Sequence, residues 1–208
     1  MTQIDLTRFP YSRRAFARSA QMRYHSRGKM NVQERFRARY FGPQGIIEGI
    51  RVCLAQEHSA SALGLVCAAV ESMTLLGLPE ERDDICDVDF ARWVDKFMRP
   101  DKVGIGGRDL WTVRCALLNQ RLSQKQAARG GKMREILFAW GRYHVMGGME
   151  LRAGSRWHRV MTIHAEELYK TLFRGAEQFC GEVISQPENA YLVGVRLNQV
   201  FGQSRQER

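Results

Sequence analysis

Residues 59 to 76 read as a helix that is apolar almost all the way round. Ala60, Ala62, Leu63, Leu65, Val66, Ala68, Ala69, Val70, Met73, Leu75 and Leu76 leave it no continuous polar face. Such a helix needs neighbours on every side, so it belongs at the centre of a bundle or in lipid. Glu71, Ser72 and Thr74 interrupt the stretch and Ala and Gly enrich it, which suits a buried helix better than a membrane span. Gly77 and Pro79 stop it. The expectation is a mainly α-helical bundle assembled around this segment.

The flanking sequence supplies the partners. Ile46, Ile50, Cys53 and Leu54 recur at i, i+4, i+7 and i+8, an amphipathic helix between Gln44 and Glu57. Asp87 or Asp89 can cap a short helix from Phe90 to about Met98, which Pro100 ends. After the loop Gly104-Ile105-Gly106-Gly107, Asp109 can cap a helix carrying Leu110, Trp111, Val113, Leu117 and Leu118. Lys132–Trp140 and Trp157–His164 have the alternation and branched or aromatic content of strands. With turns at Gly147-Gly148 and Ala153-Gly154-Ser155, a small antiparallel β-ribbon is expected near 132–164, before the last long helix. That helix, Ala165–Ser185, carries the stripe Leu168, Leu172, Phe179 and Val183, with Glu166 and Glu167 at the positive end of its dipole. The expected division is a basic arm at 1–42, a helical domain at 43–186 and a tail at 187–208. The tail keeps enough apolar residues to dock in part.

Charge is concentrated at one end. The 208 residues carry a formal charge of +10, and residues 1–42 hold ten Lys/Arg against Asp5 and Glu34. Arg13, Arg14, Arg18, Arg23, Arg27, Lys29, Arg35, Arg37 and Arg39 are therefore candidate contacts for RNA or another polyanion, which such a segment attracts by counterion release. Tyr11, Phe16, Tyr24, Phe36, Tyr40 and Phe41 are interleaved with them. Aromatic faces can stack on bases, or they can pin the arm to the core; both readings stay open. The first residues, MTQIDLTRFPYSRR, lack the apolar core of a secretory signal. Five widely spaced cysteines without a CxxC pair read as reduced thiols, so a cytoplasmic location is expected.

Familiar catalytic signatures are missing from the sequence. The glycine loop at 104–107 has no following Lys-Ser/Thr and no clean preceding strand, so it reads as a turn and not as a phosphate cradle. Arg129-Gly130-Gly131-Lys132 reads likewise. His25, His58, His144, His158 and His164 show no metal-ligand spacing, and no serine sits in a GxSxG elbow. Neither metal nor cofactor is expected. The conspicuous residue is Arg114, inside the otherwise apolar run from Leu110 to Leu118. An unpaired guanidinium there would be costly to bury. It requires an acid such as Glu71, or carbonyl oxygens, or an anionic ligand. Asn119 is a second polar group near the end of the same helix. The two stand about 140° apart around an ideal helix axis, so they do not share a face.

Asp109-Leu110-Trp111, two residues, then Arg114-Cys115-Ala116-Leu117-Leu118 resembles the motif helix of an uncharacterised bacterial HEPN-like family. The order of elements over Gln44–Ser185 is similar as well, including an Ala-rich helix bearing Glu71 and a closing helix HAEELYKTLFRGAEQFCGE. The resemblance implies a helical RNA-binding homodimer, in many relatives a metal-independent ribonuclease, with a part in bacterial defence or stress. In the catalytic members an Arg stabilises phosphate and a His four to six residues later supports attack by the ribose 2′-OH. Arg114 matches the first position; Asn119 stands where the His would be. Asn can hydrogen-bond a phosphate, but it cannot exchange a proton near neutral pH. The expectation is RNA binding, with ribonuclease activity weakened or lost. The alternative is a structural or partner-binding module in which Arg114 is an internal ion pair.

Overall fold

In the computed structural model, which describes residues 30–99, 104–119, 135–140, 149–153 and 156–201, the apolar segment is one helix, α3 (Ser59–Leu76). By length and composition it could cross a membrane, yet half of it is buried inside the bundle. Around it stand α1 (Val32–Phe41), α2 (Ile46–Ala55), α4 (Asp87–Trp93), α5 (Gly107–Asn119), α6 (Ala165–Phe179) and α7 (Ala190–Phe201). Three strands, β1 (Glu135–Ala139), β2 (Met149–Ala153) and β3 (Arg156–His164), lie between α5 and α6. The molecule is thus mainly helical, as expected.

The expected arm ends earlier than residue 42. Asn31 caps α1 with a capping box: its Oδ1 accepts the Glu34 N–H at 2.8 Å and its own N–H donates to the Glu34 carboxylate at 3.2 Å. Phe36 and Tyr40, one turn apart, stack at 4.3 Å and are fully buried, and Phe41 lies beside them. The Tyr40 hydroxyl donates to Ser72 Oγ of α3 at 2.8 Å. These three aromatics make one face of the segment apolar, which overrides its local charge. They pin residues 32–41 to the core.

Helix α4 shows a second departure. Its cap is Cys86, whose N–H donates to the Asp89 carboxylate at 3.1 Å; Asp89 lies within the first turn and is held in turn by Arg82 at 2.5 Å. The helix then widens into a π turn over Val94–Met98, and Arg99 closes it in the left-handed conformation (φ 47°). A second π turn, Cys180–Ile184, extends α6. Widening the turn advances the apolar stripe by one residue. Ile184 is consequently buried where Val183 was expected. Phe179, just before that turn, meets Phe36, Trp93 and Phe97 at 6.0, 5.8 and 5.2 Å, joining α1, α4 and α6 in one aromatic cluster.

The ribbon is not the antiparallel pair expected. The sheet order is β1-β3-β2: β1 pairs parallel with β3 (Glu135 opposite Val160, Ala139 opposite His164), and only β2 runs antiparallel to β3. The chain reverses twice between β1 and β3, and two reversals restore its direction. Met149–Ala153, the intervening strand, is too short to announce itself by alternation. The turns at Gly130-Gly131, Gly147-Gly148 and Gly154-Ser155 lie outside the described residues. Beyond α6, a 3-10 turn at Pro187–Asn189 leads into α7, so the tail docks as a helix through Val193 and Leu197. Arg196 is buried there as well. Its guanidinium donates to the carbonyl oxygens of Leu78, Pro79 (2.8 Å) and Arg82 (2.7 Å), tying α7 to the loop after α3.

Candidate functional site at the Arg114 helix

Helix α5 is held at its start by two carboxylates. The Gly106 N–H donates to Asp109 at 3.0 Å and the Gly107 N–H donates to Asp95 at 2.7 Å. The last two amides of the glycine loop are therefore engaged within the chain. Its glycines serve packing and backbone geometry: Gly104 adopts φ 82°, and a Cβ at Gly107 would lie 2.3 Å from the Ala91 carbonyl oxygen. Only glycine lets α5 cross α4 this closely. Leu110 and Val113 then fall on the fully buried face, and Trp111 meets Phe90 edge-on at 5.2 Å.

One turn on, Arg114 leaves that face and reaches α3. Its Nη2 donates to Glu71 Oε1 at 2.6 Å and its Nε to Oε2 at 3.3 Å, a side-on fork. The guanidinium also lies 4.9 Å from the centre of the Trp111 ring. Side-chain exposure is 19% for Arg114 and 30% for Glu71, so the pair is neither surface nor deep core. The Glu71 hydrogen bonds hold Arg114 above its ordinary basicity, against the effect of burial. One turn before Glu71, burial pushes the Cys67 thiol up to about 12, with Arg114 only partly offsetting it. Cys67 is therefore a neutral thiol and no nucleophile.

Position 119 closes α5, and its side chain lies outside those described. Because the helix runs unbroken to that residue, its backbone keeps positions 114 and 119 about 140° apart around the axis. A single protomer does not bring them onto one face. The histidines with described side chains, His58 and His164, stand before α3 and at the end of β3. Among the described residues no three His, Cys, Asp or Glu gather as a metal site. All five cysteines are free.

Of the basic candidates, Arg13, Arg14, Arg18, Arg23, Arg27 and Lys29 lie outside the described residues. The other three are engaged within the body. Arg35 donates to the Gly194 carbonyl at 3.2 Å and to Asn198 at 2.5 Å; Arg37 forms a fork with Glu177 at 3.0 and 2.8 Å; Arg39 sits 5.7 Å from the Phe201 ring centre. They fasten α1 to α6 and α7. Several contributors were not anticipated from sequence: Trp111 as the platform under Arg114, Asp95 as the anchor of α5, and Arg196. An Arg between Val195 and Leu197 in an apolar tail was the available signal for the last. Comparison of the chain with protein-family models, curated proteins and solved structures finds no match.

Proposed function

We propose that this protein binds RNA through its basic N-terminal segment, as a HEPN-like module, and does not cleave RNA at an ordinary enzymatic rate. The observation that carries the second half is the Arg114–Glu71 fork. Nε and Nη2, the edge that would grip a phosphate, are filled by a carboxylate of the same chain. Asn119 offers no proton carrier to replace the missing imidazole. Support for the HEPN-like assignment is the peptide Asp109–Leu118 and the packing of an Ala-rich helix bearing Glu71 against the Arg helix. Homodimerisation and a defence or stress role follow from that resemblance, and a cytoplasmic location from the five widely spaced cysteines without a CxxC pair.

Affinity for RNA comes from residues 1–29, which hold seven Lys/Arg against the single acid Asp5. The engagement of Arg35, Arg37 and Arg39 favours a second reading, in which the module is structural or binds a protein partner. Anisotropy with labelled RNA separates the two. The RNA reading expects affinity to fall steeply between about 50 and 200 mM salt and to be largely lost without residues 1–29. Binding that is absent, or insensitive to both changes, leaves the structural reading. Cleavage of a structured RNA in chelator, lost in Arg114→Ala, would instead make the protein a ribonuclease.

A further inference from the structure

The folded body carries a second cationic feature, away from the Arg114–Glu71 pair. Val88, Ala91, Arg92, Asp95 and Lys96 of α4 and its π turn, with Arg108 from the first turn of α5, line an open depression of about 440 Å³. Arg92, Lys96 and Arg108 are all exposed. Arg108 sits at the positive end of a 13-residue helix, where the dipole disfavours a cation. The one acid of the lining, Asp95, turns Oδ1 to the Gly107 N–H and forms no ion pair among the described residues. Lys96 shares Glu182 at 3.3 Å. Neither Arg92 nor Arg108 pairs with a carboxylate among the described residues.

Three exposed cations thus converge on one surface; Lys96 is shared with Glu182 and the Phe97 ring, while Arg92 and Arg108 have no carboxylate partner there among the described residues. A sequence that breaks a local electrostatic rule without a structural gain points to a ligand. The depression is too open to enclose a small molecule, which binds best in a largely apolar cavity. An extended chain of phosphodiesters fits it better: forked guanidiniums grip successive phosphates while the backbone passes over. We infer that this depression is a phosphodiester-backbone contact for RNA, with Arg92 and Arg108 as the phosphate forks. The inference rests on the RNA-binding reading above and places part of the contact on the folded body.

The test uses the full-length chain and a labelled single-stranded RNA of about 20 nucleotides, longer than a typical footprint of about 4–16. Arg92→Ala/Arg108→Ala is compared with wild type and with a control, Arg51→Ala/Lys170→Ala. The control removes the same charge, but from cations already paired on their own helices with Glu48 and Glu167. The double variant is expected to bind roughly tenfold more weakly at about 100 mM salt. Its log K against log salt slope should be smaller by about 1.4, two phosphate contacts on a single strand. The control should stay near wild type. If wild type binds and the double variant matches the control, the depression is no contact, while the RNA reading stands. If wild type binds no RNA at any salt, that reading falls and the depression falls with it.

Discussion

Arg114 is held by two contacts of different kinds, a carboxylate fork and an aromatic face. Breaking a fully buried pair costs roughly 3–5 kcal/mol, and a surface pair is worth less than about 1 kcal/mol. With about a fifth of Arg114 exposed, Arg114→Ala is expected to destabilise the fold by roughly 1–3 kcal/mol. Denaturant unfolding measures this, and a cycle with Glu71→Gln isolates the pair. A cost near zero would mean that Glu71 does not depend on Arg114. Asp89 offers a different test. The Arg82 guanidinium, with the Cys86 thiol and N–H, holds its carboxyl well below the usual carboxylate range. A depressed folded-state pKa gives stability that is complete above the unfolded value, near 3.9, and is lost as pH falls below it. Asp89→Asn should therefore lower the melting temperature at pH 7 and flatten its decline below about pH 4. An unchanged acid limb would assign that decline to other groups.

At the scale of elements, the crossing of α4 and α5 depends on one missing side chain. In an isolated helix, Gly107→Ala would gain up to about 1 kcal/mol of helix propensity. Here the added Cβ meets the Ala91 carbonyl oxygen and Cα at 2.3 and 2.5 Å, both backbone atoms. The crossing must open, so a net loss of roughly 2–4 kcal/mol is expected from thermal unfolding. Stabilisation would show that the crossing is looser than the fold requires. The two π turns act at the same scale: each shifts a helix's inward face by one residue and places Met98 and Ile184 in the core.

For the whole molecule, α1 is the decisive boundary. Its aromatic face joins the core, and its arginines fasten α6 and α7. Removal of residues 1–29 leaves the Asn31 capping box and that face intact, so the melting temperature should stay within a few degrees. Removal of 1–41 deletes three buried aromatics and should abolish cooperative unfolding. Calorimetry on the two truncations distinguishes a detachable segment from a structural helix. If both melt alike, α1 does not belong to the core. RNA affinity should already be largely lost in the shorter truncation, which separates the binding segment from the scaffold.

Much of the architecture was legible from periodicity alone. An all-round apolar helix at 59–76 demands a bundle, and the caps and stops around it mark most neighbouring helices within a few residues. Arg114 was conspicuous because an Arg in an apolar run must find a partner, and Glu71 stood among the acids within reach. Charge density, however, says nothing about which cations are free. Only packing separates Arg35, Arg37 and Arg39, engaged by α6 and α7, from Arg92 and Arg108, which face solvent. Strand direction was likewise beyond local pattern, because it depends on how many times the chain reverses and not on the composition of any strand. The role of Arg196 and the place of Asp95 were also decided by tertiary structure. Their partners are carbonyl and amide groups, which every residue carries and no sequence pattern marks.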